Sequence, residues 1–122
     1  MSFDNSKAAL AAAGVSKVLC KWQCSEQVKS VLLGFESEAL FQVMDSNPSD
    51  YTFTAEQVER IGYILNIYRS LHTLFSEADQ ADAWLNKPNS NELFGGQPAI
   101  ELMRKGKASD LASVAEYLQV QY

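Results

Sequence analysis

Histidine occurs once in these 122 residues, cysteine twice and proline three times. Each scarcity excludes something. A structural zinc site takes four nitrogen or sulfur ligands. Cys20, Cys24 and the distant His72 leave such a set short, so neither a metal nor a cofactor is expected. A disulfide between the cysteines does not suit a reducing compartment, and they read as two buried or half-buried thiols. No Cys/His or Ser/His pairing stands out, and His72 has no evident partner carboxylate. Glu101 and the Asp79/Asp82 pair read as solvated helix faces, so no enzyme activity is expected. Positive charge is scarce as well. Lys and Arg total 10 against 15 Asp and Glu, for a net charge of −5 and a pI near 4.8. The deficit runs through both halves, −2 over residues 1–53 and −3 over 54–122. Non-specific nucleic-acid affinity comes from neutralised phosphates, and this chain is poorly equipped for it. No apolar run reaches the length of a membrane span, and the start has no basic segment leading into an apolar core. The expected location is the cytoplasm. Strand-like alternation and fixed-period repeats are missing too.

What is present is helical periodicity. Residues 5–22 are Ala-rich, with Ala11, Val15, Val18, Leu19 and Trp22 on one face. Ser25 is placed to cap a short helix carrying Val28, Val31 and Leu32, which Gly34 ends. Ser37 opens a third helix with Leu40, Val43 and Met44. The stretch Ser46-Asn47-Pro48-Ser49-Asp50 is a turn-rich linker, and the boundary between two halves is expected here, 1–53 and 54–122. Thr54 and Gln57 form a capping box for the longest helix, about 55–75. Its stripe is Val58, Ile61, Ile64, Leu65, Tyr68, Leu71 and Phe75. Ser76 starts a short helix through Ala83, Trp84 and Leu85 that Pro88 ends. Pro98 fits the first turn of another, closed by Gly106, and Ser109 caps the last, with Leu111, Val114 and Leu118.

Two constellations stand out. Residues 25–45 have the spacing of a helix-turn-helix: Ser30 allows close approach, Gly34 suits the turn, and Leu33, Phe35, Leu40 and Val43 hold the pair. Such a unit commonly lays its second helix in the major groove. Glu36, Ser37, Glu38, Phe41, Gln42 and Asp45 would then face DNA, with Lys21 and Lys29 as the nearby cations. The acidic residues oppose phosphate, so a unit kept for packing or dimerisation is the competing reading. The second constellation is Trp84 to Met103. Gly95-Gly96 permits positive φ, and Asn89 can satisfy loop backbone through its amide. Neither the strand–turn–helix setting nor the lysine of a phosphate cradle accompanies the glycines. Trp84, Leu85, Phe94, Ile100 and Leu102 read as residues that pin the loop down.

The segment Arg60 to Leu118 resembles the toxin-binding domain of the MbcA/ParS/Xre antitoxins. The matching residues are Gly62-Tyr63-Ile64-Leu65-Asn66-Ile67-Tyr68, Leu71-His72, Leu74-Phe75, Ala83-Trp84-Leu85, Pro88-Asn89, Phe94-Gly95-Gly96-Gln97-Pro98 and Leu102-Met103. Asp110-Leu111, Val114 and Tyr117-Leu118 continue them. Trp22, Ser25 and Leu32-Leu33-Gly34 extend the resemblance through the first half. It implies an antitoxin without enzyme activity, paired with a RES-domain toxin that consumes NAD and whose active-site entrance the C-terminal domain covers. It also implies an N-terminal helix-turn-helix that often represses the shared operon. One departure is plain: relatives usually carry basic residues on or just after the second helix of that unit, where this chain has Phe41-Gln42-Val43-Met44-Asp45. That argues against operator DNA as a partner and leaves toxin binding untouched.

The reading is therefore an all-α protein: a helix-turn-helix-like unit, a long central helix and a compact C-terminal helical toxin-binding domain. Expected toxin contacts are Gln97, Arg104, Lys105, Tyr117, Gln121 and Tyr122. Trp84, Leu85, Pro88, Asn89, Phe94, Gly95, Gly96 and Pro98 form the platform beneath them. The DNA-facing set, if one operates, is Lys29, Ser37, Glu38, Phe41 and Gln42. A homodimer is expected; a DNA-binding autorepressor or a dimeric scaffold is the alternative function.

Overall fold

Serine, threonine and glycine punctuation sets the helix ends. The computed structural model describes residues 5–121. Its helices are α1 (Asn5–Lys21), α2 (Glu26–Leu33), α3 (Glu38–Ser46), α4 (Ala55–Leu74), α5 (Ala78–Ala83), α6 (Ala99–Met103) and α7 (Ala108–Gln119), with single 3-10 turns at Pro48–Asp50 and Trp84–Asn86. The protein is all-α, as its periodicity predicts. Among the described residues the only β-type pairing is an isolated bridge between Pro88 and Pro98. No helix among them is long and apolar enough to cross a membrane.

The expected caps form at three places. The Ser25 hydroxyl accepts from the Val28 N–H and that of Ser37 from the Leu40 N–H, each at 3.2 Å. The Thr54–Gln57 box closes both ways: the Gln57 N–H donates to Thr54 Oγ1 at 3.1 Å, and the Thr54 N–H to Gln57 Oε1 at 2.9 Å. Ser109 does not cap α7. That helix starts earlier, with Lys107 at the cap position and no side-chain bond there.

Cα packing divides the chain into two compact units, one ending at Gly62 and the other starting at Tyr63. The sequence change at residues 53/54 lies before α4, whereas the packing division falls inside it. In the first unit the start of α4 is tied back by side chains. Arg60, 5% exposed, donates from Nη1 to the Val31 and Leu32 carbonyls at 3.2 and 3.3 Å. Its Nε lies 3.3 Å from Glu56 Oε2. Asn5 holds the start of α1 to the approach to α4, donating to the Tyr51 carbonyl at 2.9 Å and accepting from the Phe53 N–H at 3.0 Å.

The core of the first unit contains Val15, Leu19, Trp22, Leu32, Leu33, Phe41 and Met44. Two details of the periodic reading change. On α1 the buried positions are Ala8, Ala9, Ala12, Val15, Val18 and Leu19, while Ala11 is half-buried. On α3 the buried residues are Phe41 and Met44, while Leu40 and Val43 are 47% and 66% exposed. Phe35 meets Phe41 edge-on at 5.8 Å and Tyr51 at 5.3 Å. Burying an aromatic ring removes more apolar area from water than burying a Leu or Val, so Phe41 sets the rotation of α3.

In the second unit Ile64, Ile67 and Leu71 of α4 are fully buried together with Ala81, Leu85, Met103, Leu111 and Val114. Leu65 and Phe75 from the predicted stripe are not in that core. Ile67 and Ser70 are buried instead.

Candidate functional site

The segment from Trp84 to Met103 folds as a fixed loop leading into a short helix. The Asn89 N–H donates to the Gln97 carbonyl at 3.2 Å, which with the Pro88–Pro98 bridge closes the loop at its base. Two asparagines brace the interior. Asn89 Oδ1 accepts from the Asn91 N–H, and Asn91 Oδ1 from the Leu93 N–H, both at 2.9 Å. Such side-chain turns stand in for backbone turns. Gly95 and Gly96 follow at φ +59° and +84°, with nothing within 4 Å of where a Cβ would sit. Glycine is needed here for its left-handed backbone, and the open space leaves the main chain accessible.

The loop rests on three aromatic rings. Phe94, 6% exposed, meets Trp84 at 5.9 Å and Tyr117 at 5.2 Å, both edge-on. Trp84 and Tyr117 lie nearly parallel at 6.2 Å. Edge-to-face packing at these separations is favourable beyond the area buried. Of the expected platform residues, Leu85 and Phe94 are buried, Trp84, Asn89 and Pro98 half-buried, and Gly95 and Gly96 exposed. Pro88 is also exposed. Tyr117, expected as a contact, is half-buried within the aromatic cluster.

Beside the glycines lies a shallow depression of about 80 Å³, lined by Leu93, Phe94, Gln97, Glu101, Leu102 and Lys105. Small-molecule pockets run to several hundred Å³, so this one suits a single side chain of a larger partner. Gln97 and Lys105, both expected as contacts, line the same depression. Arg104 is exposed beside them, its Nη1 3.2 Å from Glu101 Oε2. Lys107 extends the basic stretch at the surface. Leu93 and Leu102 were not expected there. Leu93 is 37% exposed among polar turn residues, a placement visible in the sequence. Leu102, expected to pin the loop, is half-buried on the wall of the depression together with Leu93 and Phe94 of the loop. Gln121 is exposed and donates from Nε2 to the Tyr117 carbonyl at 3.0 Å. Tyr122 lies outside the described residues.

His72 has the partner that the sequence did not reveal. Its Nε2 lies 2.9 Å from Asp82 Oδ1, and its ring is 4.2 Å from that of Tyr68. The pair ties α4 to α5 across ten residues of sequence. Asp82 is accordingly not a freely solvated carboxylate. Among the described residues no three His, Cys, Asp or Glu side chains gather as metal ligands would.

The expected DNA-facing set is dispersed. Phe41 is fully buried, and Lys29 is 6% exposed with its ammonium against Cys20. Ser37 is spent on capping α3. Glu38 and Gln42 are exposed. Phe41 gives its ring to the core, and the Lys29 ammonium is engaged by Cys20 and Glu26.

Comparison with known proteins matches this geometry to a family. Residues 70–119 match the antitoxin Xre/MbcA/ParS C-terminal toxin-binding domain. That span runs from the last part of α4 through the aromatic platform, the glycine loop and α7. The chain is also similar to the uncharacterized protein y4oB of Sinorhizobium fredii (strain NBRC 101917 / NGR234). They are 30% identical over 105 residues, covering 86% of this chain and 78% of that one. The chain belongs to the Xre/MbcA/ParS antitoxin family. Its role is that of an antitoxin, and its partner is a toxin.

Proposed function

We propose that the chain neutralises a RES-type, NAD-consuming toxin by covering the entrance to its active site. The covering surface is the exposed Gly95-Gly96 main chain, the adjoining depression and the basic residues Arg104 and Lys105. The observation that carries this reading is the glycine pair presented openly on a loop held by the packed rings of Trp84, Phe94 and Tyr117. A preformed, rigid surface loses little entropy on binding. Inhibition is steric, with no chemistry asked of the antitoxin. The basic stretch fits a partner with carboxylates at the rim of its cleft, because like charges across an interface are costly.

Two substitutions test the surface without entering the core. Leu93→Glu places a charge at the depression, and Lys105→Glu inverts the basic edge. Each is expected to weaken binding to the cognate toxin at least tenfold and to leave the melting temperature nearly unchanged. In parallel, NAD consumption by the toxin is expected to stop when the unaltered chain is added. Full affinity in both variants would remove this surface from the interface. Continued NAD consumption by toxin saturated with the antitoxin would remove the covering mechanism.

A further inference from the structure

We propose that Cys20 and Lys29 form an oxygen-bridged covalent link, Sγ–O–Nζ, when the chain meets dioxygen. The two residues lie on α1 and α2 of the first unit, away from the toxin-binding segment in sequence. Lys29 Nζ donates to Cys20 Sγ at 3.0 Å. Lys29 is 6% exposed, whereas Cys20 is exposed. A small oxidant therefore reaches the sulfur while burial keeps the nitrogen beside it. The nearest carboxylate, Glu26, is farther from the ammonium at 3.9 Å. A buried ammonium needs a partner, and the thiol is the closest one. The hydrogen bond to Cys20 holds Lys29 above its ordinary value, against desolvation, with smaller support from the charges of Cys20, Glu26 and Asp45.

The segment joining the two residues is itself fixed. After α1 the Gln23 N–H donates to the Cys20 carbonyl at 2.9 Å and the Cys24 N–H to that of Leu19 at 3.0 Å. The Ser25 cap then starts α2. Sulfur and nitrogen are thus held near bonding range before any reaction, which is the usual source of an intramolecular rate advantage.

The step balances with dioxygen as the oxidant. The ammonium first releases a proton to solvent. The S–H bond and one N–H bond break, and S–O and O–N bonds form. Sulfur and nitrogen each give up two electrons, and dioxygen accepts all four. One oxygen atom stays in the bridge, and the other leaves as water with the two hydrogens. The link removes the Lys29 charge and ties the last turn of α1 to α2.

The test uses the full chain in buffer saturated with isotopically heavy dioxygen, against an oxygen-free control, followed by proteolysis and mass spectrometry. The expected product is a cross-linked peptide pair heavier than its parts by one heavy oxygen less two hydrogens. It is expected to be lost on treatment with a thiol reductant, lost in Cys20→Ser and Lys29→Arg, and retained in Cys24→Ser. Oxidation to a Cys20 sulfinic acid or to a Cys20–Cys24 disulfide, without the cross-link, overturns the proposal. So does equal yield from the chain unfolded in guanidinium. The heavy-oxygen product in the unaltered chain decides the matter even where Lys29→Arg disturbs folding.

Discussion

Gln23 and Gly34 do the same job with different residues. Each follows a helix end in the left-handed conformation, Gln23 at φ +62° and Gly34 at φ +79°. Both close a two-bond helix terminus: Cys24 N–H to the Leu19 carbonyl and Gln23 N–H to that of Cys20 after α1, Phe35 N–H to that of Ser30 and Gly34 N–H to that of Val31 after α2. Glycine adopts this backbone freely, while a residue with a Cβ is strained there. Gln23→Gly is therefore expected to raise the unfolding free energy by roughly 0.5–1 kcal/mol, the relief being partly offset by backbone entropy. Gly34→Ala goes the other way for two reasons. It imposes the same strain, and its Cβ would sit 2.9 Å from Arg60 Nε and 3.0 Å from Arg60 Cδ. A loss of about 2 kcal/mol is expected. Urea denaturation of both variants checks the pair, and an unchanged midpoint for Gly34→Ala would contradict the packing described. The sequence showed the Gly34 turn directly. It did not show Gln23, because a polar residue at a helix end carries no signal of its backbone angle.

At the scale of elements, Arg60 joins α4 to the end of α2. Helix ends leave carbonyls unsatisfied and carry partial negative charge, so a guanidinium there contributes both hydrogen bonds and a favourable charge. Glu56 also pairs with it, but the Glu56 side chain is 63% exposed. Exposed ion pairs contribute little. Arg60→Met keeps the apolar stem and deletes the carbonyl contacts, and is expected to cost about 2 kcal/mol. Glu56→Gln is expected to cost roughly 0.5 kcal/mol or less. Equal losses in the two variants, measured by chemical denaturation, would shift the weight from the carbonyls to the ion pair. Periodicity placed Arg60 on a helix and said nothing of its role, since its acceptors lie 28 and 29 residues away. The same limit hid the His72–Asp82 tie. Periodicity also turned α3 the wrong way, because Leu40, Phe41, Val43 and Met44 offer two overlapping apolar faces.

At the scale of the whole molecule, charge decides what the chain can hold. The net charge is −5, and of the two cations near the helix-turn-helix-like unit, Lys21 and Lys29, the second is buried against a thiol. Phosphate contacts supply most of the sequence-independent affinity. At low salt, a gel shift with the chain alone and its own promoter region is expected to show no more than background. A specific shift that weakens steeply with salt would restore the regulator reading. The basic stretch Arg104, Lys105 and Lys107 is instead at the surface of the second unit, next to the glycine loop.

The chain's own letters were enough for the helical class, the capping box at Thr54, the Ser25 and Ser37 caps and the glycine loop, because these depend on neighbours a few residues apart. They were also enough to suggest the antitoxin family through Trp84, Pro88-Asn89 and Phe94 to Pro98. Only the tertiary structure could decide the rotation of α3, the burial of Lys29 and Phe41, the place of Tyr117 among the aromatic rings and the depression walled by Leu93 and Leu102. Those depend on which of several apolar or polar faces finds a partner far along the chain. That choice is made by total burial and hydrogen-bond satisfaction, not by local preference.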